Sequence, residues 1–219
     1  MNASASVGAS TRGRVVALLG AESTGKTTLA RQLCDALGAE GHDAVVVGEY
    51  LREFCERHGR TPRRDEQAAI ADEQTRRISA AAAAHEIVVA DTTALMIAVY
   101  SEQVFGDTSL YADAEAAQRN VDAALLTALD LPWQADGHQR DGPHVREPVD
   151  AKVRAALQRC GAAYSVVSGS GPARVSAALA SVHRALDPPR IDGGTARWHW
   201  ICERCGDAVC EGHLLPESR

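Results

Sequence analysis

Short apolar runs alternate with longer segments of helical period along most of this chain. Val15-Val16-Ala17-Leu18-Leu19, Ala44-Val45-Val46-Val47, Ile87-Val88-Val89-Ala90, residues 123–129 and Tyr164-Ser165-Val166-Val167 read as five strands. Residues 28–37 carry Leu29, Leu33 and Leu37 at i, i+4 and i+8, one apolar face of a helix, with Gly38 expected as its C-cap. Further helices are predicted over 51–58, 63–85, 92–105, 111–119, 148–160 and 172–186. Pro62 suits a helix start, and the alanine run 80–84 favours helix by propensity alone. Strands and helices alternating at this spacing predict an α/β fold: a five-stranded parallel sheet between two helical layers. No internal repeat is visible.

Composition divides the chain into four parts. Residues 1–13 are small and polar at their start and are expected to be a disordered lead-in; they lack the basic and apolar regions of a secretory signal. Residues 14–186 carry the alternating pattern, 187–197 are a Pro- and Gly-containing linker, and 198–219 are a Cys- and His-rich tail. The 219 residues suffice for one ordinary core. A formal net charge of −6 argues against general nucleic-acid binding, which needs a basic surface. No run approaches the ~18 apolar residues of a membrane helix, so a cytoplasmic protein is expected. Cys34, Cys55 and Cys160 fall in predicted helices, where they are expected to act as small buried apolar residues.

The chemistry begins directly after the first strand. Gly20-Ala21-Glu22-Ser23-Thr24-Gly25-Lys26-Thr27 fits G-x-x-x-x-G-K-[ST], and it lies between a strand and a helix as that pattern requires. Glycine-rich backbone opening a helix presents N–H groups to phosphate oxygens. Gly20, Glu22, Ser23, Thr24, Gly25, Lys26, Thr27 and Thr28 are therefore candidates for binding ATP. Lys26 would reach the β- and γ-phosphates, and the Thr27 hydroxyl would face Mg²⁺.

In a doubly wound sheet ligands bind beyond the C-terminal strand ends. Glu49 follows the second strand and Asp91 the third. Asp91 is a candidate Mg²⁺ ligand, or else the N-cap of the next helix. Glu49 is a candidate catalytic or substrate carboxylate, or else a first-turn acid favourable to the helix dipole. Residues 132–145 have no periodicity and are expected to form a lid carrying Arg140, with Arg146 just after it; a solvated charged loop is the alternative. Trp133 could stack on a planar substrate ring or plug the core.

Several segments together resemble the ribosylnicotinamide kinase domain of the bacterial NAD-biosynthesis regulator family. They are residues 20–29, Gly48-Glu49-Tyr50-Leu51-Arg52-Glu53, Ala90-Asp91-Thr92-Thr93, Val99-Tyr100-Ser101-Glu102 through Phe105-Gly106, and Leu131-Pro132-Trp133-Gln134-Ala135-Asp136-Gly137-His138-Gln139-Arg140. The resemblance spans residues 14–186 in the right order. The Glu-Tyr-x-Arg and Pro-Trp-x-x-Asp-Gly segments are more specific than the phosphate loop. The resemblance implies a P-loop nucleoside-kinase-like fold, ATP as donor and nicotinamide riboside as acceptor. It implies substrate roles for Glu49 and Arg52, a metal or substrate role for Asp91, and a lid holding Trp133, Asp136 and Arg140. The sequence departs from it at Thr93, where an acidic residue is expected, and in carrying no DNA-binding or adenylyltransferase segment. The Cys-rich tail lies outside it.

In the tail, Cys202-x2-Cys205-x4-Cys210-x2-His213 supplies four zinc-type ligands, a structural zinc-knuckle-like site in expectation, with His199 as a competing ligand and an unstructured tail as the alternative.

Two function classes follow. One is an ATP- and Mg²⁺-dependent kinase of a small nucleoside-like acceptor, with Lys26, Arg140 and Mg²⁺ stabilising the transferring group and Glu49 or Asp91 orienting the hydroxyl. The other is an ATP-hydrolysing switch that signals through its tail. A kinase of a different nucleoside lies between them.

Overall fold

The computed structural model describes residues 12–134 and 142–187. By contacts the chain divides into a unit Met1–Pro188 and a unit Pro189–Arg219, and the description below concerns the first.

Among the described residues, β1 (Arg14–Leu19), β2 (Ala44–Val47), β3 (Ile87–Asp91), β4 (Ala123–Thr127) and β5 (Tyr164–Val167) form one parallel sheet in the order β2-β3-β1-β4-β5. Strands β1 and β3 are buried along nearly their whole length, which is why they read as continuous apolar runs rather than alternating ones. Val16 pairs with Val89 on one side and Ala123 on the other.

Alternation sends successive side chains to opposite faces. Val16 and Leu18 of β1 and Val89 of β3 pack with α1 (Lys26–Ala39) and α7 (Gly171–Leu186). Leu29, Leu33 and Leu37 are at most 1% exposed there, each contributing about 1.5–3 kcal/mol by burial. The opposite face is covered by α2 (Tyr50–His58), α3 (Gln67–Ala84), α4 (Ala94–Phe105), α5 (Tyr111–Gln118) and α6 (Arg146–Arg159). Helix α4 is buried from Ala94 to Val99, so its first half is apolar all round and carries little helical stripe. The three-layer α/β expectation holds, and the chain crosses from the β3 side of β1 to its β4 side, which opens a ligand crevice at the top of β1.

Several element ends differ from the sequence reading. Gly38 lies inside α1, which ends at Ala39 with Glu40 as C-cap; the positive φ of 95° falls at Gly41. The stretch read as one helix over 63–85 begins with a 3-10 turn at Arg64–Glu66, where the Glu66 carboxylate accepts from the Arg63 N–H at 2.8 Å. Strand β4 stops at Thr127, whose hydroxyl turns to the phosphate loop. Helix α6 begins at Arg146, with Pro148 in its first turn, where a missing N–H costs no helical bond. Cys55 and Cys160 are buried as expected, whereas Cys34 is half-buried.

Candidate functional site

The phosphate loop is shaped by its own backbone and by a support from β4. Gly20 has φ 142° and Gly25 φ 76°, and Ser23 also takes a positive φ of 57°. A Cβ on Gly20 would stand 2.2 Å from the Thr127 hydroxyl, so this close approach requires glycine. That hydroxyl donates to the Thr24 hydroxyl at 2.7 Å and lies 3.1 Å from Leu19 O, and Thr24 in turn donates to Ala21 O at 2.8 Å. Lys26 Nζ donates to Gly20 O and Ala21 O, both at 2.8 Å, and so sits across the loop at the start of α1.

A second support was not legible in the sequence. Arg174 of α7 is 5% exposed; its Nη2 donates to Thr24 O at 2.7 Å and its Nη1 to Gly169 O at 2.9 Å. Burial lowers its pKa, while Asp130 at 3.6 Å opposes that shift. Arginine stays charged under any such change.

The loop opens into a cavity of about 1190 Å³. Glu22 through Leu29 line it, as do Ser170, Gly171 and Arg174. Glu49, Arg52 and Tyr100 line it too, together with Gln67 and the 61–64 segment. Pro132 and Gln134 also belong to the lining. Gln134 is tied to the phosphate loop by two 2.8 Å bonds with Ser23: Gln134 N–H donates to the hydroxyl, and the hydroxyl donates to Gln134 O. Lys26, Arg31, Arg52, Arg63, Arg64 and Arg174 outnumber Glu22, Glu49 and Glu56 on the lining, so the cavity is locally basic in a chain of net charge −6. That charge suits an anionic ligand.

Glu49 occupies the N-cap position of α2 without a side-chain capping bond; its carboxylate, 14% exposed, lies 3.8 Å from Arg52 Nε. Asp91 ends β3 opposite Leu18, on the face covered by α1. It is 2% exposed and is not part of the cavity lining, and its Oδ1 has no hydrogen-bond partner among the described residues. The capping alternative for Asp91 does not hold. Thr93 is the N-cap of α4, its hydroxyl accepting from Leu95 N at 3.3 Å and donating to Gln118 Oε1 at 2.9 Å. Between the two, Thr92 takes φ 80°, a strained value for a β-branched residue.

The donors near the loop fit a hard, oxygen-seeking cation. Thr27 offers a hydroxyl from the cavity wall, and the unpartnered Asp91 oxygen offers a carboxylate. Among the described residues no group of three or more His, Cys, Asp and Glu side chains could hold a metal.

Trp133 is half-buried with its indole nitrogen unpartnered among the described residues, and it does not line the cavity although its neighbours do. Arg146 is 7% exposed and donates to Leu131 O at 3.0 Å, which fastens the start of α6 to the root of the loop. Asp136 and Arg140 lie outside the described residues, as do Cys202, Cys205, Cys210 and His213.

The family model of an AAA domain matches residues 15–174, which includes the phosphate loop, both strand-end carboxylates and Arg174. The chain belongs to this AAA domain family. Two solved structures share the fold. One is a NadR protein in complex with NR, with a TM-score of 0.65 and 21% identity over 79% of this chain and 51% of that one. The other is a NadR protein in complex with NAD and AMP-PNP, with a TM-score of 0.62 and 21% identity over 79% of this chain and 49% of that one. The chain thus spans about half the length of these chains, and the likeness shows the fold. No curated protein matches the chain. Among the described residues, no helix is long and apolar enough to cross a membrane.

Proposed function

We propose that this AAA-family protein is an ATP-dependent kinase that phosphorylates the 5′-hydroxyl of a nucleoside, nicotinamide riboside first among candidates. The observation that carries the reading is the single cavity running from the phosphate loop to Glu49, Arg52 and Tyr100. It has room for a nucleotide and a second small molecule, which a hydrolytic switch does not need. The NR and AMP-PNP complexes of the NadR structures support the choice of donor and acceptor.

In this reading the loop N–H groups and Lys26 hold the donor phosphates, and Lys26 stabilises charge that develops on the transferred group. Thr27 and Asp91 would hold Mg²⁺, which when bound neutralises phosphate charge. Glu49 accepts a hydrogen bond from the acceptor hydroxyl and aligns it, with Arg52 holding the carboxylate in place. The 132–145 loop, with Trp133, Asp136 and Arg140, closes over the acceptor and excludes water. Cys202, Cys205, Cys210 and His213 form a separate structural zinc site, a reading supported by ligand type and spacing, for which the metal content of purified protein is the check.

The experiment is an acceptor screen. ADP release is measured with Mg²⁺-ATP and each of a panel of nucleosides. Release that depends on one nucleoside supports the proposal, and release independent of any acceptor favours the switch.

A further inference from the structure

Helix α3 sends one side chain against the backbone that follows β2 and β3, beside the residues that carry Glu49 and Asp91. Gln74 is 0% exposed, and its carboxamide makes three bonds, all to backbone. Its Oε1 accepts from Tyr50 N–H at 2.8 Å. Its Nε2 donates to Gly48 O and to Thr92 O, each at 3.3 Å. The pattern admits a single amide orientation: the flipped group would set its oxygen against two carbonyls and its NH₂ against an N–H.

Gly48 and Tyr50 flank Glu49, and Thr92 follows Asp91. We propose that Gln74 is a positioning residue that sets Glu49 and Asp91 relative to each other by clamping both strand ends to α3. The proposal rests on the reading of those carboxylates given above. The strained Thr92 supports it. A positive φ at a non-glycine residue is costly and persists only where the surroundings over-determine it. Thr92 is held at both backbone groups, its N–H donating to Leu18 O at 3.1 Å and its O accepting from Gln74. The clamp therefore holds the residue after Asp91 in a conformation that it would otherwise leave.

Two facts separate this role from general support of the fold. Helix α2 is fastened to α3 independently, because Arg77 pairs with Glu53 at 2.7 Å and lies over the Tyr50 ring at 4.4 Å. The phosphate loop is held by Thr127 and Arg174, neither of which touches Gln74. Loss of the carboxamide should therefore leave ATP binding intact and disturb the carboxylates.

The test is a double-mutant cycle of Gln74→Met with Glu49→Gln, read as kcat/KM for the acceptor and as ATP affinity. Gln74→Met is expected to lower acceptor kcat/KM by about 10–100-fold, the scale for misplacing a reacting group by an ångström, with ATP affinity unchanged. In the Glu49→Gln background the same substitution should cost much less, since the two act through one group. Additive effects, or an equal loss of ATP affinity, would overturn the proposal. Hydrogen exchange at the Tyr50 amide gives a readout that needs no activity: it should accelerate in Gln74→Met, and unchanged exchange would overturn the clamp. Wild-type protein that turns over no nucleoside, with exchange at the Tyr50 amide still accelerated in Gln74→Met, removes the kinase reading and leaves the clamp. If Gln74→Met does not fold, Gln74→Asn, one methylene too short to reach all three partners, carries the same measurements.

Discussion

The guanidinium of Arg174 donates to the carbonyl oxygen of Thr24 at 2.7 Å, joining the last helix of the core to the middle of the phosphate loop. A second bond from the same group to Gly169 O at 2.9 Å ties the loop to the turn that leads into α7, which also lines the cavity. Hydrogen bonds to a charged donor contribute about 1.5–3 kcal/mol each. Arg174→Met is expected to weaken ATP binding by about 10-fold or more on that scale, with acceptor affinity spared. Arg174→Lys should not restore it, because a point charge lacks the planar fork that reaches both carbonyls. Titration calorimetry with ATP decides; wild-type affinity in the methionine variant would show that the loop holds its shape without α7.

Glu49 and Asp91 should fail in different ways. Glu49 lines the cavity, whereas Asp91, paired beside Leu18 of β1, does not. Glu49→Gln should damage acceptor use with ATP binding intact. Asp91→Asn should raise the Mg²⁺ requirement and recover in part at high Mg²⁺. Steady-state kinetics across Mg²⁺ and acceptor concentrations separate them, and unchanged parameters in both variants would make the two carboxylates structural.

The 60–67 segment, part of which lines the cavity, and the turn after α4 should loosen in acid. Arg60 holds the Glu66 carboxyl down to about 2 through paired 2.7 Å bonds, and Arg64 holds Asp107 down to about 2 at 3.0 Å. Both carboxylates titrate lower folded than unfolded. Their stabilisation is fully present above the ordinary carboxylate range and is lost as pH falls through the folded values. The melting temperature should thus be insensitive to these pairs near neutral pH and fall between about pH 4.5 and 2. Removing both acids, as Glu66→Gln with Asp107→Asn, should flatten that fall; an identical acid profile would exclude the pairs as its cause. Salt should weaken the effect, since these groups are solvent-accessible.

The central strands β1, β3 and β4 were legible because they are buried on both faces, so each reads as an apolar run between turn residues, whereas the edge strands β2 and β5 are only partly buried. The phosphate loop was legible because its constraint is local: a glycine where a Cβ would strike Thr127 and a lysine at the first turn of α1. Element ends were less so. Gly38 resembles a C-cap, yet α1 runs through it because the chain turns only at Gly41. Asp91 and Thr93 are both good caps by type, and the choice of Thr93 depends on its bond to Gln118, 25 residues away. The two supports that sequence reading missed, Gln74 and Arg174, are polar residues in helical segments. Only tertiary packing brings Gln74 to Tyr50 and Thr92, or Arg174 to a loop 150 residues before it. A buried polar residue on an otherwise apolar helix face is the signal that could have marked them.

If one cavity joins the phosphate loop to an acceptor site, the phosphoryl group itself can be followed from donor to acceptor. Wild-type protein is incubated with Mg²⁺-ATP and nicotinamide riboside, and the products are read by phosphorus NMR, with Lys26→Ala as control. The account predicts ADP and a new 5′-phosphate monoester in equal amounts, and a rate lower by about 10²-fold or more in the folded Lys26→Ala protein. A monoester formed only with a different nucleoside would correct the acceptor and keep the site. Free inorganic phosphate with no ester on any nucleoside, at a rate indifferent to the acceptor, would contradict the account.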